Sequence, residues 1–182
     1  MQSSTTLGDL DASLTPPATK SSFGTPWYCQ LIVFAATCII VGIVWDISES
    51  GSKRDLEKEI DILDNYFHSV KDIEVELIPF ANQIFKIENY TVKNADWEKL
   101  KLRLQNLVND GGTQLGCIDF RKYEANEFFM FSDGISNFGK ETPLFSKVPV
   151  TTIVTSISAD YSFLKYISQK TNGNFINASI LS

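Results

Sequence analysis

The sequence predicts an α/β fold: a doubly wound, mostly parallel sheet flanked by helices. Three observations predict it. Apolar runs of strand length alternate with amphipathic helical stretches. Ile39, Ile40, Val41, Ile43 and Val44 crowd β-branched side chains into an uncharged run, as a central strand buried on both faces prefers. Asp, Ser, Gly and Thr residues follow the strand candidates, where open α/β sheets bind ligands.

Residues 1–26 are rich in Ser, Thr, Gly and Pro (Ser3, Ser4, Thr5, Thr6, Pro16, Pro17) and show no sustained period, so a disordered tail is expected there. Residues 27–45, WYCQLIVFAATCIIVGIVW, carry no formal charge. As a helix this run would extend about 28 Å, close to the thickness of a bilayer core. As a strand it would sit at the centre of the sheet, and periodicity alone does not decide between the two.

From residue 53 the pattern is helical. Leu56, Ile60, Leu63, Phe67 and Val70 share one face, Arg54 falls on another, and Glu57, Lys58, Glu59 and Asp61 are expected on a solvated face. IEVELIPF (73–80) reads as a strand, and IFKIE (84–88) as an edge strand protected by Lys86. Trp97, Leu100, Leu104 and Leu107 mark a second helix, and NDGGT (109–113) a turn leading to a short helical stretch near Leu115. EFFMF (127–131) and VPVTTIVTS (148–156) are strands. A helix over 159–173 is expected to close on Gly173 as a left-handed cap, before a last short strand over 174–179.

Composition narrows the chemistry. With 43% hydrophobic and 21% charged residues, the 182-residue chain can bury one domain's core. Sixteen basic against 22 acidic residues give a net charge of −6, with no basic cluster to neutralise phosphates, so no nucleic-acid partner is expected. One histidine and three cysteines supply neither a His- or Cys-built zinc site nor a Ser-His-Asp triad. Cys29, Cys38 and Cys117 form no paired framework and read as small hydrophobes. Any metal here must be held by oxygen.

Such oxygens stand at three strand-end stations. Asp46, Ser48 and Ser50 lie at i, i+2 and i+4, which on an extended segment would aim three oxygens the same way. Thr113 and Asp133 would add two more from neighbouring loops. Five hard donors with two charges suit Mg²⁺, with Mn²⁺ or Ca²⁺ as alternatives, and leave one position for an outside carboxylate. Taken singly, Asp46 and Ser48 would suit a helix N-cap, and Asp133-Gly134 an ordinary turn. A site at Asp46 puts residues 39–45 in the sheet and begins a domain over 39–182. Residues 27–38 are too short to span a bilayer alone, so they are expected to pack as an extra element rather than to anchor the chain in a membrane.

D-x-S-x-S after a buried strand, a G-G-T turn and a strand ending in S-D-G together resemble the von Willebrand factor A (VWA) domain and its metal-ion-dependent adhesion site. WDISESGSKRDLEKEI, NDGGTQLG and FFMFSDGISNFG look like the bacterial branch of that family, including membrane-associated proteins that pair it with a VIT domain. The resemblance implies that Ser48, Ser50 and Thr113 ligate the metal through hydroxyls, and that Asp46 and Asp133 act directly or through water. It also implies a protein-binding module that captures an acidic partner residue, not an enzyme. The chain departs from the family in two respects. Glu49 stands where a glycine is common, adding charge and costing backbone freedom at the turn. The family's C-terminal helix is apparently missing after the last strand, which would leave part of one sheet face uncovered. The alternatives are a membrane-tethered structural domain with a weakened site, or a phosphohydrolase using Asp46. The second lacks an acid/base residue beside that aspartate, because Ser48 occupies the position.

Overall fold

The computed structural model describes residues 39–180. The tail expected over 1–26 and the apolar segment over 27–38 lie outside the described residues. Strand β1 (Ile40–Asp46) confirms the strand reading of 39–45, and every residue after Ile40 in it is buried. It leads through a 3-10 turn (Glu49–Lys53) into helix α1 (Leu56–Val70), then β2 (Ile73–Phe80), β3 (Glu88–Val92) and α2 (Glu98–Gln105). Two short 3-10 turns (Leu115–Cys117, Phe120–Lys122) precede β4 (Glu127–Phe131), β5 (Val150–Val154), α3 (Tyr161–Lys170) and β6 (Phe175–Asn177).

The sheet order is β3-β2-β1-β4-β5-β6, parallel throughout except for the antiparallel β2–β3 pair. The chain builds outward from β1 on one side, then returns to lay β4 on the other. That reversal opens a crevice at the carboxyl ends of β1 and β4, the usual ligand position in such sheets. Asp46 ends β1, and Asp133 lies two residues beyond β4.

Both faces are covered. Val41, Ile43 and Trp45 pack with Ile60, Leu63 and Phe67 of α1 and with Trp97, Leu100 and Leu104 around α2. Val44, Ile78, Phe128 and Met130 pack on the other face with Ile167 of α3 and with Leu115, Ile118 and Phe120 from the irregular segment. Burying each such side chain stabilises the fold by about 1.5–3 kcal/mol. Over β2 that second face is closed by 3-10 turns and loop. Toward the start of β2 an open groove is lined by Glu74, Glu76, Asn89, Lys122 and Glu124 together with Ile40 and Val75.

Three local expectations are corrected. The edge strand is Glu88–Val92 rather than 84–88: Ile84 makes only an isolated bridge to Phe80, while Phe85 and Ile87 are exposed. Tyr90 and Val92 supply the inward alternation that 84–88 lacks. The left-handed residue after α3 is Asn172 (φ 58), not Gly173. Gly173 N–H bonds Ser168 O at 2.8 Å and Asn172 N–H approaches Gln169 O at 3.4 Å, the paired bonds of a Schellman cap with asparagine in the left-handed position. Finally, Glu59 does not lie on a solvated face but pairs with Arg54. Both are buried, while Glu57 and Asp61 are exposed as expected.

Candidate metal centre

Asp46 is fully buried at the end of the central strand. Its Oδ1 accepts the Ser48 N–H at 2.9 Å and its Oδ2 accepts the Ser132 hydroxyl at 2.7 Å, so the carboxylate is held from both loops of the crevice. The chain then leaves the extended conformation. Ser48 caps the 3-10 turn, and this turn brings the Ser48 and Ser50 hydroxyls to 3.1 Å. The two oxygens are brought together by a tight turn, not by the strand alternation expected from the i, i+2, i+4 spacing. Glu49 sits in that turn with its side chain exposed and its φ outside the left-handed region. The position makes no demand for glycine, so the expected backbone cost is absent.

The 109–113 loop is stitched to this turn. Asp110 N–H donates to Ile47 O at 2.8 Å, and Glu49 N–H donates to Gly111 O at 2.9 Å. Gly111 is left-handed (φ +76), and a Cβ on Gly112 would meet Asn137 Oδ1 at 2.9 Å. The two glycines thus let the loop turn and approach the 132–138 segment. Asn137 Oδ1 accepts Thr113 N–H at 2.8 Å, and Thr113 O accepts the Phe138 N–H at 3.0 Å. With its backbone clamped in this way, Thr113 is fully buried, yet its Oγ1 has no hydrogen-bond partner. Buried hydroxyls are ordinarily satisfied, so this oxygen calls for a ligand.

Asp133, 2% exposed, occupies the turn opened by Gly134 (φ +75). Its Oδ1 accepts Ile135 N–H at 3.0 Å, and the Ser50 hydroxyl lies near enough to favour its charged form. Burial pushes the Asp133 carboxyl above its ordinary range, the Asp46 charge adds to that rise, and the Ile135 N–H, Ser50 and Arg54 oppose it. Asp46, Ser48, Ser50 and Asp133 thus form one contiguous group. Thr113 joins it through backbone pairing, without a direct bond from its hydroxyl.

Sequence reasoning missed the supports. Ser132 bridges Asp46 and the Gly134 N–H (3.0 Å), and the S-D-G string could have suggested it. Arg54 lies 4.9 Å over the Trp45 ring, donates to the Asp46 carbonyl and grips both Glu59 carboxylate oxygens at 3.1 Å. Thr155, just beyond β5, donates to Glu59 at 2.9 Å and accepts Asp55 N–H at 2.9 Å. Burial pushes the Glu59 carboxyl up, and the Arg54 charge opposes that rise most. Asp46, Asp133 and Glu59 are three buried carboxylates facing one guanidinium, a formal charge of −2 around the crevice.

The donor set therefore fits a hard divalent cation: three hydroxyls, one of them orphaned, and two carboxylates with an uncompensated charge of matching size. Among the described residues no three of His, Cys, Asp and Glu gather as a metal site. A set built on hydroxyls has only two such members.

No family model matches the chain, and no curated protein matches it. Among solved structures it is similar to the conserved hypothetical protein BatB from Bacteroides thetaiotaomicron, at 15% identity and a TM-score of 0.56 over 76% of this chain and 89% of that one. It is equally similar to an aerotolerance-related membrane protein from Bacteroides fragilis, at 17% identity and a TM-score of 0.55 over 76% and 90% of the two chains. The likeness extends to a VWA-like, mostly parallel α/β fold, and to the fold alone.

Proposed function

We propose that the chain is a divalent-metal-dependent protein-binding module, not an enzyme, and that its metal engages a carboxylate from a partner protein. Ser48, Ser50 and Thr113 would hold the ion through hydroxyls, with Asp46 and Asp133 beside them. When bound, the ion would supply an electrophilic centre for an anionic ligand, because neutral hydroxyls make up most of its donors and leave a coordination position open. The observation that carries the reading is the buried, unpartnered Thr113 Oγ1 in a crevice of formal charge −2. Mg²⁺ is the leading ion, with Mn²⁺ and Ca²⁺ as alternatives of the same chemistry. Similarity to a protein described as membrane-associated supports an envelope setting. Among the described residues no helix is long and apolar enough to cross a membrane.

Isothermal titration of the full chain with Mn²⁺ tests the site. Wild type should give saturable heat, and Asp133→Ala should give none. Thr113→Val separates ligation from folding. Its hydroxyl bonds to nothing, so the metal-free protein should be unchanged or stabilised by about 1–3 kcal/mol, while Mn²⁺ affinity falls. Equal heats in wild type and both variants would refute the assignment.

A further inference from the structure

We infer that the crevice recognises a single acidic side chain flanked by apolar residues, rather than an acidic stretch; this rests on the metal-binding reading above. Three of the four most exposed large apolar side chains among the described residues stand on loops at this end of the sheet: Ile157 (84%), Val108 (78%) and Phe138 (59%). Ile135 joins them at 39%. Three of these four lie on segments bonded to a proposed ligand, and Val108 lies beside the loop that carries Thr113. Ile135 N–H bonds Asp133 Oδ1 at 3.0 Å, and Phe138 N–H bonds Thr113 O at 3.0 Å. The loop beyond Ile157 returns Asp160 N–H to Asp133 O at 2.8 Å, and Val108 precedes the loop paired with Ile47 and Glu49. A pocket of about 170 Å³ opens beside Gly134, between Ile135 and Phe163.

Apolar side chains held in water around a polar centre mark a binding surface, and their burial would favour apolar neighbours on the ligand. Charge selects among occupants. Glu49, Asp110 and Glu141 are exposed around the crevice and outweigh Lys53 and Lys140. Once a dication offsets the buried −2, this surface excess still repels an anionic membrane and a polyacidic peptide alike. One carboxylate, delivered to the cation between apolar side chains, escapes that repulsion.

Three fluorescein-labelled nonapeptides provide the test, each with a central Asp flanked by Leu, Ser or Glu. Mn²⁺ uptake is measured first by titration calorimetry, and failure at that step removes the metal reading and this inference with it. In saturating Mn²⁺, anisotropy should show the Leu-flanked peptide binding at least about tenfold more tightly than the Ser-flanked one. The Glu-flanked peptide should be weakest. Phe138→Ser with Ile157→Ser should bring the Leu:Ser ratio near one and leave the Mn²⁺ heat intact. Normal Mn²⁺ binding with equal affinity for the Leu and Ser peptides would overturn the inference. So would Leu-peptide binding that survives EDTA, attachment to phosphatidylcholine or phosphatidylserine vesicles lost in the double variant, or a dimer that the double variant dissolves.

Discussion

At the scale of single residues, charge balance governs the crevice. Arg54 is the buried cation set against Asp46, Asp133 and Glu59. Removing one partner of a buried pair strands the other, at a cost of about 3–5 kcal/mol. The two partners are not equivalent here. Arg54→Met leaves three buried carboxylates without a counter-charge, whereas Glu59→Gln leaves Arg54 beside Asp46 and Asp133. Urea unfolding without metal should therefore show Arg54→Met losing about 3–5 kcal/mol and Glu59→Gln clearly less. Mn²⁺ should recover part of the Arg54→Met loss. Equal losses would mean that the crevice carboxylates do not sense Arg54. Asp46, Ser48, Ser50 and Asp133 were legible in the sequence because they end or follow a strand, and Thr113 because a Gly-Gly turn after a helix leads into it. Arg54 and Glu59 were not, because their partners come from other elements: Trp45 and the Asp46 carbonyl for Arg54, and Thr155, 96 residues on, for Glu59.

At the scale of elements, strand and helix cores were legible and their ends were not. The β-branched run became β1, and the apolar stripe Ile60, Leu63 and Phe67 became the buried face of α1. The end of α3 shows why boundaries fail. Glycine is the usual left-handed cap residue, so Gly173 invites that assignment, yet Asn172 takes the position. Gly173 is needed for a different reason: a Cβ there would lie 2.1 Å from Val150 O, where the cap passes β5. The two positions should answer oppositely in thermal melts. Asn172→Gly should be neutral or stabilise by about 0.5 kcal/mol, because glycine adopts φ > 0 without strain. Gly173→Ala should destabilise by about 1–3 kcal/mol, as expected where a close contact forces the backbone to shift. Stabilisation by Gly173→Ala would show that the cap and β5 do not approach this closely.

At the scale of the whole molecule, the fold and the crevice come from one topological event. The order β3-β2-β1-β4-β5-β6 was implied only as a class by the sequence, since alternation of strand and helix does not say on which side of β1 the chain resumes. Placing β4 beside β1 brings Asp46 and Asp133 from 87 positions apart to one crevice, where the Ser132 hydroxyl meets Asp46 at 2.7 Å. The like charges then oppose folding unless a cation joins them, so metal binding and global stability are linked. An ion held only by the folded state at one hundred times its Kd adds about 2.7 kcal/mol, equivalent to roughly 5–10 °C in Tm for a chain of this size. Calorimetric melts of the full chain should show that rise in Mn²⁺ over EDTA. Asp133→Asn keeps the side-chain shape but removes one of the opposing charges. It should raise or preserve the Tm in EDTA while abolishing the rise in Mn²⁺. A wild-type Tm indifferent to Mn²⁺, or an Asp133→Asn protein that keeps the full shift, would leave the crevice as a structural joint between β1 and β4 with no ion in its role.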